Sequence, residues 1–216
     1  MKELIEWKIS NKLIEYDFAI SEMEKRVLNI KTNTENELVW LLEHESIFTA
    51  GTSAKDEDLI NNNVNIRYTG RGGQWTWHGP GQRVVYLMLN LKKRLPDVKA
   101  YVYALEELVI LSLSDFNIDA VRIKKLPGVW VKNNDSFDKI ASLGIRISSW
   151  ITYHGISINL NPNLEEFKNI IPCGIEDGGV TSIYRLKNNI APQKLDNSLK
   201  KYFKQIFSEN SLSCIK

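Results

Sequence analysis

The chain has 216 residues, which are read as one domain, 1–216, large enough for a full hydrophobic core. Its 43% hydrophobic and 25% charged content is that of an ordinary globular protein, and a net charge of +2 gives no electrostatic case for nucleic-acid binding. No apolar run approaches the ~20 residues that span a bilayer, and the start, Met-Lys-Glu-Leu-Ile-Glu-Trp-Lys, carries acids where a secretory signal needs an apolar stretch. A cytoplasmic protein with no membrane partner is therefore expected. Two cysteines, Cys173 and Cys214, make no disulfide framework, which agrees with a reducing compartment. His44, His78 and His154 lie far apart and show no zinc spacing, so no metal site is expected.

In chain order, residues 1–9 read as a short strand. Asn11 to Ile30 reads as a helix, with Leu13, Tyr16, Phe18, Ala19, Met23, Val27 and Leu28 on one broad face. Glu37 to Leu42 is a strand that stops at Glu43-His44-Glu45. Phe48 to Ala54 reads as a turn, and Lys55 to Ile60 as one helical turn. Val64 to Tyr68 alternates like a short strand. Arg71 to Gln82 packs four glycines, a proline, two tryptophans, an arginine and a histidine into twelve residues. Glycine lets backbone approach a ligand or take positive φ, so this stretch is a shaped loop or a bulged strand facing something. A plain glycine-rich hairpin with core tryptophans is the alternative.

Arg83 to Leu91 is an apolar strand. Asp97 suits the N-cap of a helix from Val98 to Phe116, with Glu106 and Glu107 pointing outward. Ala120 to Lys125 is a strand, Pro127-Gly128 a break, and Val129 to Val131 another strand. Lys139 to Ser148 and Trp150 to Leu160 are strands, Leu164 to Asn169 a short helix, and Ile170 to Gly174 a loop. Pro192 to Ser208 is an amphipathic helix with Leu195, Leu199, Tyr202, Phe203 and Ile206 inward. Strands cluster in mid-chain without regular βαβ alternation, which points to an α+β fold with a mixed sheet.

Cys173 sits between proline and glycine on a rigid, uncrowded turn. That setting suits either an exposed nucleophile or a buried structural thiol. Thiolate chemistry needs a neighbouring base or cation, for which His78, His154 and Lys139 are the candidates.

Arg71-Gly-Gly-Gln-Trp-Thr-Trp-His-Gly-Pro-Gly-Gln82 resembles the signature of the octanoyltransferases, also called lipoate–protein ligase B. Three further blocks are similar in order: Lys139-Ile-Ala-Ser-Leu-Gly-Ile-Arg-Ile147, His154-Gly-Ile-Ser-Ile-Asn-Leu160 and Ile171-Pro-Cys-Gly174. Gly128-Val-Trp130 looks familial too, and Lys139 and Cys173 are 34 positions apart, as in the family pattern. The resemblance runs from about Glu37 to Ile183, and four linked blocks are specific where one would be weak. Trp77 stands where tyrosine is more usual; it keeps an aromatic wall and loses a hydroxyl.

The resemblance implies a mixed, largely antiparallel sheet with flanking helices, like the biotin/lipoate protein ligase catalytic domain. It implies transfer of an octanoyl (or lipoyl) group from acyl carrier protein to a lysine of lipoyl domains, through a thioester on Cys173. The acceptors would be lipoyl domains of 2-oxoacid dehydrogenase complexes and the glycine cleavage H protein. Lys139 would favour the Cys173 thiolate and shuttle protons. Substrate would be bound by Arg71, Gly72, Gly73, Gln74, Trp75, Thr76, Trp77 and His78, by Ser142, Leu143 and Gly144, and by His154, Gly155, Ile156 and Ser157. Backbone N–H groups around Leu143-Gly144, or beside Cys173, would stabilise the oxyanion. His78 and His154 would shape the pocket mouth or donate hydrogen bonds. No cofactor is implied, since a thioester is already activated. An ATP-dependent ligase on the same fold, or a non-catalytic lipoyl-domain binder, remain the rival functions.

Overall fold

The computed structural model describes residues 5–94, 96–171, 179–187 and 190–207. Strand β1 (Ile5–Ile14), helix α1 (Tyr16–Lys31) and strand β2 (Glu37–His44) form one βαβ unit, with β1 and β2 parallel. The helical spacing predicts α1 from Asn11, but Asn11 to Ile14 is extended. Leu13 and Ile14 pair with Glu43 and His44, and Glu15 then caps the helix by accepting from the N–H groups of Asp17 (2.8 Å) and Phe18 (2.6 Å). Long-range pairing overrides local periodicity here. The buried face of α1 is Tyr16, Ala19, Met23, Val27 and Ile30, whereas Leu13, Phe18 and Leu28 are exposed.

Strands β3 (Ile47–Ala50), β4 (Ile66–Tyr68) and β5 (Trp75–His78) form a small sheet in the order β4-β3-β5. The β3 segment reads as a turn by sequence. It is a strand of four residues buried throughout, so it shows no alternation. Strand β6 (Gln82–Met88) follows, then helix α2 (Val98–Ser114), capped by Asp97, whose carboxylate accepts from Lys99 and Ala100 N–H.

Strands β7 (Ala120–Ile123), β8 (Leu126–Asn133), β9 (Ser136–Ser148) and β10 (Ile151–Asn159) are successive antiparallel neighbours. Pro127-Gly128 does not break β8. Gly128 lies at φ 123, its N–H donates to the Glu106 carboxylate (3.2 Å), and a Cβ there would sit 2.8 Å from the Ala141 carbonyl. Glu106 is thereby buried rather than outward. Strand β11 (Gly179–Val180), helix α3 (Ile183–Leu186) and helix α4 (Pro192–Phe207) complete the described chain.

The large sheet has the order β1-β2-β6-β10-β9-β8-β7, with β11 beside β9. Its one face, through Val39, Leu41, Val85, Leu87 and Ile156, packs on α2 and α4. Its other face, through Leu38, Trp40, Leu42, Val84 and Tyr86, packs on α1. This is the period of two expected for a sheet covered on both faces. Pairing of β8 with β9 passes from Trp130↔Lys139 to Val129↔Ala141, leaving Ile140 as an extra residue. Ile140 and Ala141 both join the α2–α4 core, while Lys139 goes to the opposite face with Trp130. A bulge re-aims a side chain in this way.

Arg83 on β6 and Asp196 on α4 form a bidentate pair (2.8 and 2.6 Å), both buried. Removing one partner of such a pair leaves an uncompensated charge, so Asp196→Ala is expected to cost about 3–5 kcal/mol. Replacing both, as Arg83→Met with Asp196→Leu, is expected to recover most of that loss in urea unfolding. A double variant as unstable as the single one would contradict this account.

Candidate active site

A cavity of about 240 Å³ opens where the glycine-rich stretch crosses the edge of β9. β8 pairs with β9 only as far as Ala141; beyond it, the Gly72 N–H donates to the Ile145 carbonyl (2.9 Å). In an extended strand alternate residues share an edge, so the Leu143 N–H lies on this open edge and the Gly144 N–H faces β10. The glycine-rich block contributes Arg71, Gly73, Gln74, Trp75, Thr76 and His78 to the cavity wall. β9 contributes Ser142, Leu143 and Gly144, and β10 contributes His154, Gly155, Ile156 and Ser157.

Two residues expected at the cavity are placed elsewhere. Gly72 is taken up by its bond to β9. Trp77 turns its indole into the core of the small sheet, packing edge-on against Phe167 and donating to the Ser46 hydroxyl (2.9 Å). It is therefore core, not an aromatic wall of the cavity. Lys139 is buried, with its ammonium 4.6 Å from the Trp130 ring centroid and its stem beside Gly128. Cys173 and Cys214 lie outside the described residues.

Arg71 is 5% exposed. Its guanidinium donates to the Thr49 carbonyl (2.6 Å) and hydroxyl (2.8 and 3.1 Å), and to the carbonyls of Gly72 (3.0 Å) and Gln74 (2.8 Å). Its stem fits because Gly144 has no side chain: a Cβ there would lie 3.1 Å from Arg71 Cδ.

The three histidines, far apart in sequence, gather behind this arginine. His78 lies 5.8 Å from His44 and stacks at 6.0 Å on Tyr16, while Tyr86 lies 5.7 Å from His44 and 6.1 Å from His154. They are buried at the inner end of the site, not at its mouth. His44 Nδ1 faces the Ile14 carbonyl (2.7 Å), which can only accept, so Nδ1 carries the proton. Its Nε2 then accepts from the Tyr86 hydroxyl (2.7 Å). Burial pushes His44 down to about 4. Burial, then the Arg71 charge, push His154 down to about 3. Burial and the neighbouring His44 and Arg71 hold His78 well below its ordinary value, and burial holds the Tyr86 hydroxyl well above its own.

His154 adopts φ 60, an uncommon conformation for a residue with a side chain. Such outliers persist where surrounding packing fixes them, often at functional sites. Tyr16 Oη, Gln74 Oε1 and His154 Nδ1 are buried without a hydrogen-bond partner among the described residues. All three belong to cavity-lining residues. The wall is apolar at Val84 and polar at the histidine end, while the Leu143 and Ile156 side chains turn into the α2–α4 core. Among the described residues, no group of His, Cys, Asp and Glu is arranged to hold a metal ion.

Sequence reasoning missed Tyr16, Tyr86 and His44. Tyr16 lies on an amphipathic helix face and Tyr86 in an apolar strand, where aromatic residues are ordinary core.

The lipoyl protein ligase A/B catalytic domain model matches residues 15–204. An octanoyltransferase of Wolbachia sp. subsp. Brugia malayi is 50% identical over 205 residues, covering 94% of this chain and 100% of that protein. This chain belongs to the octanoyltransferase family. An octanoyltransferase of Bartonella quintana is 48% identical over 213 residues, covering 94% of this chain and 87% of that protein. The fold is also that of the bipartite lipoate protein ligase of Thermoplasma acidophilum, with a TM-score of 0.70, 14% identity, and 93% and 83% of the two chains covered. The mixed, mostly antiparallel sheet expected of an octanoyltransferase is therefore the one found. No helix is long and apolar enough to cross a membrane among the described residues.

The buried histidines set a pH dependence. Each is neutral in the fold and protonates near its ordinary 6.5 once unfolded, so unfolding takes up protons as pH falls. Their contribution is complete above about pH 6.5 and is lost toward the folded values of about 4 and 3. From about pH 7 to 5, above the main carboxylate range, unfolding free energy is expected to fall, approaching about 1.4 kcal/mol per pH unit for each histidine. Urea unfolding at stepped pH checks this; a flat profile would contradict it.

Proposed function

We propose that this octanoyltransferase moves an octanoyl (or lipoyl) group from acyl carrier protein to a specific lysine of lipoyl domains, through a thioester on Cys173. The acceptors are the lipoyl domains of 2-oxoacid dehydrogenase complexes and the glycine cleavage H protein. The observation that carries the reading is the cavity: the block from Arg71, the β9 segment after Lys139 and the β10 segment at His154 enclose one apolar-walled space.

In the first half-reaction the Cys173 thiolate attacks the carrier thioester. A tetrahedral oxyanion forms and collapses with loss of the pantetheine thiolate, which takes a proton from the Lys139 ammonium. The Leu143 N–H on the open edge of β9 is suited to the oxyanion. In the second, the lysine amine attacks the acyl-cysteine, the C–N bond forms as the C–S bond breaks, and neutral Lys139 takes the amine proton. Exchange of one thioester for another is nearly isoenergetic, so neither ATP nor metal is needed. Each methylene of the acyl chain that the cavity buries contributes about 0.8 kcal/mol.

Burial of Lys139 on the site face, through the β9 bulge, supports its role as charge partner and proton carrier. Cys173→Ala is expected to abolish the octanoyl-enzyme and turnover, and Cys214→Ala to change neither. Lys139→Arg is expected to keep the Cys173 thiolate but lose turnover, because arginine does not release its proton. Lys139→Ala is expected to raise the alkylation pKa of Cys173 toward ~8.5. Mass spectrometry after incubation with octanoyl carrier protein, with and without ATP, and iodoacetamide rates across pH, check these outcomes. Strict ATP dependence with free octanoate as donor would favour a ligase, and absence of any acyl-enzyme a lipoyl-domain binder.

A further inference from the structure

The floor of the cavity has a step in it. On β9 the Leu143, Ile145 and Ile147 side chains pack on the α2–α4 core, so Ser142 and Gly144 face the cavity. On β10 Ile156 and Ile158 join that core, and Gly155 and Ser157 face the cavity. On β6 it is Val84 and Tyr86. The register aligns these six in two rows across the sheet, Ser142–Ser157–Val84 and Gly144–Gly155–Tyr86. Each row is low over β9 and β10, where serine and glycine leave room, and rises over β6. The Arg71 stem covers Gly144, which favours the serine row as the lane for a chain.

The lane has a direction. β8 lies beyond β9 in the sheet, and Lys125 and Pro127 of the β7–β8 hairpin line the cavity as exposed residues. Tyr16, Tyr86 and His154, on the opposite side, are buried. An acyl chain tethered to a carrier protein enters methyl end first, because the carrier stays outside. Its carbonyl is then left at the β9 edge and its methyl end points to β6. Neighbouring strands are about 4.8 Å apart, so β9 to β6 spans about 9–10 Å. An extended chain advances about 1.3 Å per C–C bond, so an octanoyl group spans about 9 Å.

The step is also fixed in place. The Tyr86 hydroxyl donates to His44 Nε2 (2.7 Å), and His44 Nδ1 donates to the Ile14 carbonyl (2.7 Å), so the Tyr86 ring cannot swing aside without breaking buried bonds. Val84 belongs to the core beneath α1. At the same inner end, Tyr16 Oη and His154 Nδ1 have no hydrogen-bond partner among the described residues. Hydrocarbon pressed against them would add an uncompensated desolvation cost.

We propose that Val84, backed by Tyr86, is the stop that sets acyl-chain length. The chain crosses β9 and β10 over Ser142 and Ser157 and ends against β6, so the spacing of three strands is the ruler. The proposal rests on the acyl-transfer reading above and adds its chain-length specificity.

The test is transfer to a lipoyl domain from hexanoyl, octanoyl and decanoyl carrier protein. It is read as the ratio of kcat/KM between chain lengths, which a loss of folded enzyme does not move. Val84→Ala opens room at the stop and is expected to raise the decanoyl-to-octanoyl ratio about tenfold, as two more buried methylenes would. Val84→Ile keeps the core filled and is expected to move the preference the other way, toward hexanoyl. Ser157→Val fills the lane one strand earlier and is expected to raise the hexanoyl-to-octanoyl ratio. An unchanged ratio in Val84→Ala or Ser157→Val, or a shift of the opposite sign in any variant, would overturn the proposal. Calorimetric binding of octanoyl- and decanoyl-pantetheine to Cys173→Ala, with and without Val84→Ala, is expected to give the same tenfold shift without turnover. If the unmodified protein transfers no acyl group from any carrier, the acyl-transfer reading fails, while that binding ratio still decides the stop.

Discussion

A guanidinium placed inside a protein must be met by acceptors, or the desolvation cost is not recovered. Arg71 meets that demand with the carbonyls of Thr49, Gly72 and Gln74 and the Thr49 hydroxyl. Most of the site depends on this. The bonds to Thr49 tie the glycine-rich loop to β3, so the small sheet and the loop hold one geometry. The Arg71 stem against Gly144 sets the spacing between that loop and β9. The fixed positive charge also disfavours protonation of His78 and His154, reinforcing what burial does. The result is a cluster of neutral rings beside a permanent cation, an arrangement in which hydrogen-bond directions are set by tautomer rather than by charge.

The two sheets divide labour. The large one, sandwiched between α1 and the α2–α4 layer, supplies rigidity and the two strands that floor the cavity. The small one is held by its own cluster of Phe48, Trp75, Trp77 and Phe167, and it delivers the glycine-rich block to the edge that β8 leaves open. Trp75 and Trp77 are both fully buried, yet only Trp75 reaches the cavity. A tryptophan at position 77, where tyrosine is more usual in the family pattern, is thus accommodated by the Ser46 hydroxyl and the Phe167 ring, away from the chemistry.

Much of this was legible in the chain itself. The blocks at Arg71, Lys139 and His154 carry residue types that only a shaped site needs, and the structure brings them together. What was hidden is long-range. The β1 extension through Ile14 depends on β2 thirty residues later, while its local spacing reads as helix. β3 is too short and too buried to alternate. Glu106 looks like a solvated helix face until the Gly128 N–H needs an acceptor. Tyr16, His44 and Tyr86 belong to three separate elements, and no pattern within any one of them shows that the rings meet. The Ile140 bulge, which decides the side on which Lys139 emerges, is likewise a property of pairing with β8 and leaves no trace in β9 alone.

The open edges of the large sheet carry a consequence for solubility. Among the described residues β1 and β7 end the strand order, and an edge with free backbone groups invites pairing with another chain. β7 limits this by having four residues, with Arg122 on it ion-paired to Glu107. β1 is longer and exposes Ile9 and Leu13, but its register shifts between those two positions, with Lys8 just before the shift and Lys12 within it. A bulged, lysine-bearing edge cannot accept a straight incoming strand without burying charge. The same irregularity thus guards the molecule against edge-to-edge aggregation.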